Sequence, residues 1–151
     1  MIRRSATIFL GLLLACRPAL ADDASRTGPK APIVNFSLPT FTNPDGYRSL
    51  LIRGSEAWMT GPNIIDVKEL SVSVFSGDAS NRIDTMMLSP AARVLPDEQT
   101  ITGDSTLRVI NLQDGFEATG TGWRYTNKDK TVVLSKKVRV VLRAAIKDIL
   151  K

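Results

Sequence analysis

The stretch ITGDSTLRVINLQDGFEATGTGWRYTNKDKTVVLSKKVRVVL, Ile101 to Leu142, decides the fold. It contains three runs of alternating apolar and polar residues. Leu107 and Val109 point one way, and Thr106, Arg108 and Ile110 the other. Val132, Leu134, Val138 and Val140 share one face, with Thr131, Ser135, Lys137 and Arg139 on the opposite one. A side-chain period of two is the mark of half-buried strands. Asn111–Gly115 and Asn127–Lys130 supply turn chemistry between the runs. The pattern predicts an antiparallel meander.

Upstream, the same rhythm continues less regularly. Ile33–Phe41 alternates around Pro39, which suits an edge strand. Asn43-Pro44-Asp45-Gly46 is a turn, and Tyr47–Met59 reads as a strand interrupted near Gly54. Gly61-Pro62-Asn63 turns the chain into a long strand that ends at Phe75. Ser76-Gly77-Asp78 follows. Ile83–Leu88 and Ala91–Leu95 read as two short strands separated by Ser89-Pro90. Many short strands with turn signals between them indicate a sandwich, jelly roll or barrel. A faint repeat relates Asp45-Gly46-Tyr47, Trp58 and Val67-Lys68-Glu69-Leu70-Ser71-Val72 to Asp114-Gly115-Phe116, Trp123 and Ser135-Lys136-Lys137-Val138-Arg139-Val140. The alternative is that all hairpins look alike. From Leu142 to Lys151 the period changes. Leu142, Ala145, Ile146, Ile149 and Leu150 fall on one face and Arg143, Lys147 and Lys151 on another, which predicts a short C-terminal amphipathic helix.

The chain opens MIRRSATIFLGLLLACRPALADD. Arg3 and Arg4 precede an apolar run from Ala6 to Cys16, Pro18 breaks it, and Ala19-Leu20-Ala21 matches a cleavage site. Residues 1–21 therefore read as a signal peptide, 22–32 as a flexible lead, and 33–151 as a single domain. Two alternatives compete. Leu13-Leu14-Ala15-Cys16 resembles a lipoprotein signal that would anchor the chain at Cys16, and the run could also be retained as an anchor. Cleavage before Asp22 would remove Arg3, Arg4 and Arg17, three of the charges behind the net +5. The basic balance is then poor evidence for nucleic-acid binding, and no stretch interleaves aromatics with cations as a base-stacking groove does.

The chain has no histidine, and its only cysteine is Cys16. The expected exported domain thus lacks a thiolate nucleophile, an imidazole base and a His/Cys metal cluster. Paired carboxylates, Asp114 with Glu117 and Asp97 with Glu98, sit in turns where solvation explains them. Asn127, Asp129 and Lys130 read as turn residues before they read as a cation site. Gly120-Thr121-Gly122 lacks a phosphate loop's setting and suggests a bulge or close backbone approach. No catalytic residue, metal or cofactor is expected. From Arg124 to Lys151 there are nine Lys/Arg and two acids. That bias fits attraction to phosphates or an acidic partner, or simply a solvated face. The sharpest site is apolar: Leu70, Val72, Val74, Leu107, Val109, Trp123, Tyr125, Leu134 and Val138 can face one interior. In a closed sandwich they are core, and in an open one they are a lipid slot.

DGFEATGTGWRYTNKDKTVVLSKKVRVVL, preceded by LSPAARVLPDEQTITGDSTLRVI, resembles the lipopolysaccharide-export β-jelly-roll family, the OstA-like group that includes LptA and LptC. The resemblance spans about Ile52–Leu142 and rests on strand rhythm, including Gly122-Trp123-Arg124-Tyr125 and Val138-Arg139-Val140. It implies a twisted antiparallel jelly roll and a non-enzymatic role in lipopolysaccharide transport to the outer membrane. Lipid A chains would lie in the apolar interior, and sister jelly rolls would pair with the chain by strand augmentation. The export signal places the chain in the periplasm and is closer to the family's soluble bridge than to its anchored member. The other reading is an exported closed-core β-sandwich that serves as an interaction or structural module.

Overall fold

A computed structural model describes residues 31–143. Seven strands follow in order: β1 (Ile33–Phe41), β2 (Arg48–Gly61), β3 (Ile64–Phe75), β4 (Ile83–Leu95), β5 (Thr100–Asn111), β6 (Phe116–Thr126) and β7 (Thr131–Leu142). They form one antiparallel sheet in the order β1-β2-β3-β4-β5-β6-β7. This is an open, twisted meander. The Greek-key crossovers of a jelly roll are absent among the described residues, so that part of the expectation is corrected. The turns carry the residues that a positive φ favours. Gly46, Gly77 and Gly115 have φ of 71, 77 and 69°, and Asn63 and Asn81 have φ of 56 and 50°.

A single flat sheet cannot bury a core, yet seventeen residues of β1 to β6 form one buried cluster. The sheet must close on itself, and the backbone shows where. Asn35, Glu69, Gly122 and Lys137 have positive φ inside β1, β3, β6 and β7. Between Arg53 and Glu56, β2 makes no pairing with β3. Pairing lapses at Pro90 on β4, and the register shifts by one across Gly103–Thr106 on β5. These irregularities lie at one height and make a crease across all seven strands. The buried residues skip a place there. On β3, Val67 is followed inward by Leu70, Val72 and Val74, and on β4 Ser89 is followed by Ala92 and Val94. The skip reverses the alternation just where the bend reverses the facing, so both halves of each strand point into one interior.

The halves are called here the upper leaf (the ends of β3, β5 and β7) and the lower leaf (their starts). Lys130, in the β6–β7 turn of the lower leaf, donates from Nζ to the Phe75 carbonyl at the upper end of β3, at 3.1 Å. Along the sheet even β6 lies three strand spacings from β3, roughly 14 Å. Only folding one leaf over the other brings them together.

Two strand expectations change. The region around Ser89-Pro90 does not divide β4, because Pro90 sits at the crease, where no ladder N–H is needed. Gly54 does not end β2. A Cβ there would collide with Val67 Cγ1 and lie 2.8 Å from the Lys68 carbonyl oxygen, so glycine permits the close approach at the bend. The helix predicted from Leu142 does not begin there. Leu142 closes β7, and the Arg143 amide donates to the Gly115 carbonyl at 2.8 Å. The rest of that segment, like the predicted signal peptide and most of the lead, lies outside the described residues.

The repeat has a structural counterpart. Glu69 and Lys137, equivalent in the two units, both occupy the crease with φ of 49 and 51°. The two tryptophans are not equivalent. Trp58 stands opposite Asp66 on the outward face, and Trp123 stands opposite Leu134 on the inward one.

Candidate functional site

Directly opposed residues of an antiparallel pair share a face, so the registers map the interior wall by wall. A cavity of about 370 Å³ lies between the leaves. Val74, Val109, Phe116 and Ala118 form its upper wall, and Tyr125, Val132 and Leu134 its lower one. Asp84, Thr85, Asn111, Gln113 and Lys130 form a polar rim. An apolar slot with a few polar groups at its mouth is the usual form of a small-ligand site.

The wall does not stop at the cavity. Phe116 is paired with Leu142, and Ala118 with Val140. Leu142 and Val140 therefore continue the same inward face onto β7, and Val138 follows by alternation. These three are 64, 56 and 52 % exposed. Nothing among the described residues covers them. The interior thus opens sideways at the β7 edge, where a strip of apolar side chain leads into the cavity. The β1 edge also ends in exposed apolar residues, Ile33 and Val34.

Electrostatics keep the slot neutral. Tyr125 is buried, and its hydroxyl donates to Asn127 Oδ1 at 3.2 Å. Burial pushes that phenol up to about 12. The Trp123 indole is buried with its Nε1–H unpaired. It lies over Gly103, its cross-strand partner on β5. Charge sits outside. Glu117 accepts from Arg108 at 2.6 Å and from Arg143 at 2.7 Å. Those hydrogen bonds hold its carboxyl at about 2. A larger depression of about 890 Å³ runs along the crease and the lower leaf, lined by outward residues such as Asp66 and Arg124 and also by the core residues Val67, Ala92 and Trp123. Three of the charges that line it are paired: Arg93 forks Asp66 at 2.8 and 3.2 Å, and Lys68 reaches Glu56 at 3.1 Å beside the Trp58 ring.

The nine sequence-predicted interior residues divide into groups. Leu70, Val72 and Leu107 are sealed in the core. Val74, Val109, Tyr125 and Leu134 line the cavity. Trp123 caps the crease, and Val138 stands exposed at the open edge. Sequence reasoning missed Phe116, Ala118 and Val132 as lining residues. Val132 had a signal, because it alternates with Leu134. Lys130 had none, since its partner is fifty-five residues away. Gly122 marks a bulge, with φ of 62°, and a Cβ at Gly120 would meet Leu134 Cβ at 3.1 Å. Among the described residues no group of His, Cys, Asp or Glu is placed to hold a metal, and no helix is long and apolar enough to cross a membrane.

A family model described as LptC, lipopolysaccharide-assembly, LptC-related, matches residues 29–143. No curated protein matches the chain.

Proposed function

The chain belongs to the LptC-related lipopolysaccharide-assembly family, and from that premise we propose that it carries lipid A acyl chains between the leaves of its folded sheet. The family is a non-enzymatic transport component of the cell envelope. The observation that carries the reading is the sideways opening of the interior at β7. Val138, Val140 and Leu142 extend the cavity wall into solvent, so an acyl chain can slide in while its phosphates and sugars stay wet. Covering such a strip supplies about 25 cal/mol per Å² of apolar surface removed from water. Val74, Val109, Tyr125 and Leu134 are the contacts inside, and Leu70, Val72, Leu107 and Trp123 support them.

The open β1 and β7 edges pair with sister jelly rolls by strand augmentation, which uses main-chain hydrogen bonds. Export by a cleaved signal peptide, with the finished domain in the periplasm, accompanies this reading; lipidation at Cys16 is the alternative route to the same compartment.

Photo-crosslinking of lipopolysaccharide tests the proposal, with the probe at Val109, Val138 or Val140. Crosslinks at these positions, and not at Arg108 or Arg139, are expected. Their absence in a folded protein supports the second reading, a closed-core structural module. That reading has its own observation: Val72 and Leu107 are 0 % exposed.

A further inference from the structure

The outward faces of the two leaves differ in charge. On the upper leaf one cross-strand row spans all seven strands. It carries Arg53, Arg108 and Arg139, with Ser37, Ser71 and Thr119 among the residues between them. All three arginines are exposed. Arg53 and Arg139 have no carboxylate partner among the described residues, and Arg108 shares Glu117 with Arg143, which leaves that trio positive. The lower leaf is balanced: Glu56, Asp66 and Asp104 stand against Lys68, Arg93 and Arg124.

The arginines are three and two strands apart, roughly 14 and 10 Å at ordinary strand spacing. They are too far apart to grip one anion. They suit a surface that presents many. The neighbouring outward row holds Leu51, Met86, Ile110 and Val141, which are half-buried or exposed, with Pro39, Ser73 and the arginine-paired Glu117 among them. Cations beside an apolar row are what a bilayer interface rewards: phosphates outside, and acyl boundary just beneath.

We propose that the outward face of the upper leaf docks on a bilayer surface bearing anionic phospholipid, with Arg53 and Arg139 against headgroup phosphates. The slot opens on the inward face, so loss of either activity leaves the other measurable.

The test is sedimentation of the full chain with vesicles of phosphatidylcholine, alone or with phosphatidylglycerol added. Binding is expected only with the anionic lipid, and it should weaken as salt rises. The double variant Arg53→Gln/Arg139→Gln should bind about 30-fold more weakly, from the worth of two cations near such a surface. Both side chains are exposed, with no carboxylate partner among the described residues, so its unfolding curve should match the parent's. Arg124→Gln removes a lower-leaf charge and should change binding by less than about twofold. Equal binding to both vesicles, no binding, or an equal loss in Arg124→Gln would each overturn the proposal. So would capture of lipopolysaccharide micelles alone.

Discussion

Replacing Gly103 with alanine tests the crease directly. A Cβ at Gly103 would stand 2.7 Å from Trp123 Cε2 and Nε1 and 2.8 Å from Cζ2. Cβ atoms do not approach ring atoms that closely, so something must move. The indole cannot withdraw easily. It is rigid and 4 % exposed, and its strand is paired to β5 at that residue. Overpacking of this kind costs about 1–3 kcal/mol. Alanine also restricts the unfolded chain, which offsets about 0.4–1 kcal/mol. The net expectation is a loss of about 1–2 kcal/mol, or roughly 4–8 °C in Tm for a domain near this size. Urea unfolding followed by far-UV circular dichroism measures it. The control is the same change in a Trp123→Leu background. There the clash is gone, and Gly103→Ala should be neutral or stabilising, so the two changes couple strongly. A variant as stable as the parent, or an equal penalty in both backgrounds, would refute the packing of Trp123 on Gly103.

Four further outcomes follow from the same geometry. Glu117 has its folded carboxyl depressed from 4.5 to about 2, so its stabilising contribution is full above about pH 4.5 and is lost as the pH falls through about 2; a carboxyl ¹³C titration with a midpoint near 4.5 would contradict the double arginine contact. The Tyr125 phenol, raised from 10 to about 12 by burial, should make the fold lose stability between pH 10 and 12, and Tyr125→Phe should remove that slope from pH-dependent urea curves. Lys130→Met deletes the hydrogen bond to the Phe75 carbonyl, worth about 1 kcal/mol at a part-buried site, and hydrogen exchange at the end of β3 should speed up by about fivefold if the leaves meet there. Val140→Asp, on an exposed strip, should leave the urea midpoint nearly unchanged yet reduce lipopolysaccharide crosslinking at Val109, whereas Leu107→Ala should cost about 2–5 kcal/mol of stability.

The boundaries of β5, β6 and β7 were readable because alternation and turn residues coincide there. The errors upstream have one cause. Pro90 and Gly54 are strand breakers in a flat sheet, so the local sequence marks them as interruptions. In the folded sheet they sit where the ladder has to yield. The predicted start of a helix at Leu142 fails for a different reason. Leu142 satisfies the strand period as well as the helical one, and pairing with Phe116 decides between them. The interior list carries no information about depth. Val72 and Val138 obey the same alternation, yet one is sealed and the other is 52 % exposed. Exposure depends on whether a leaf lies opposite, and no local pattern records that.

The sequence by itself therefore determined the strands, most of the turns and the residues of the inward face, because a period of two and the φ preferences of Gly and Asn are local properties of the chain. Tertiary structure alone decided that the sheet folds along a crease, that Lys130 meets Phe75, and that nothing among the described residues covers the wall at β7. Each depends on atoms brought together from distant strands. The bend is made by single residues such as Glu69 and Lys137, whose types do not favour a left-handed backbone and which adopt it only because packing on both leaves requires it.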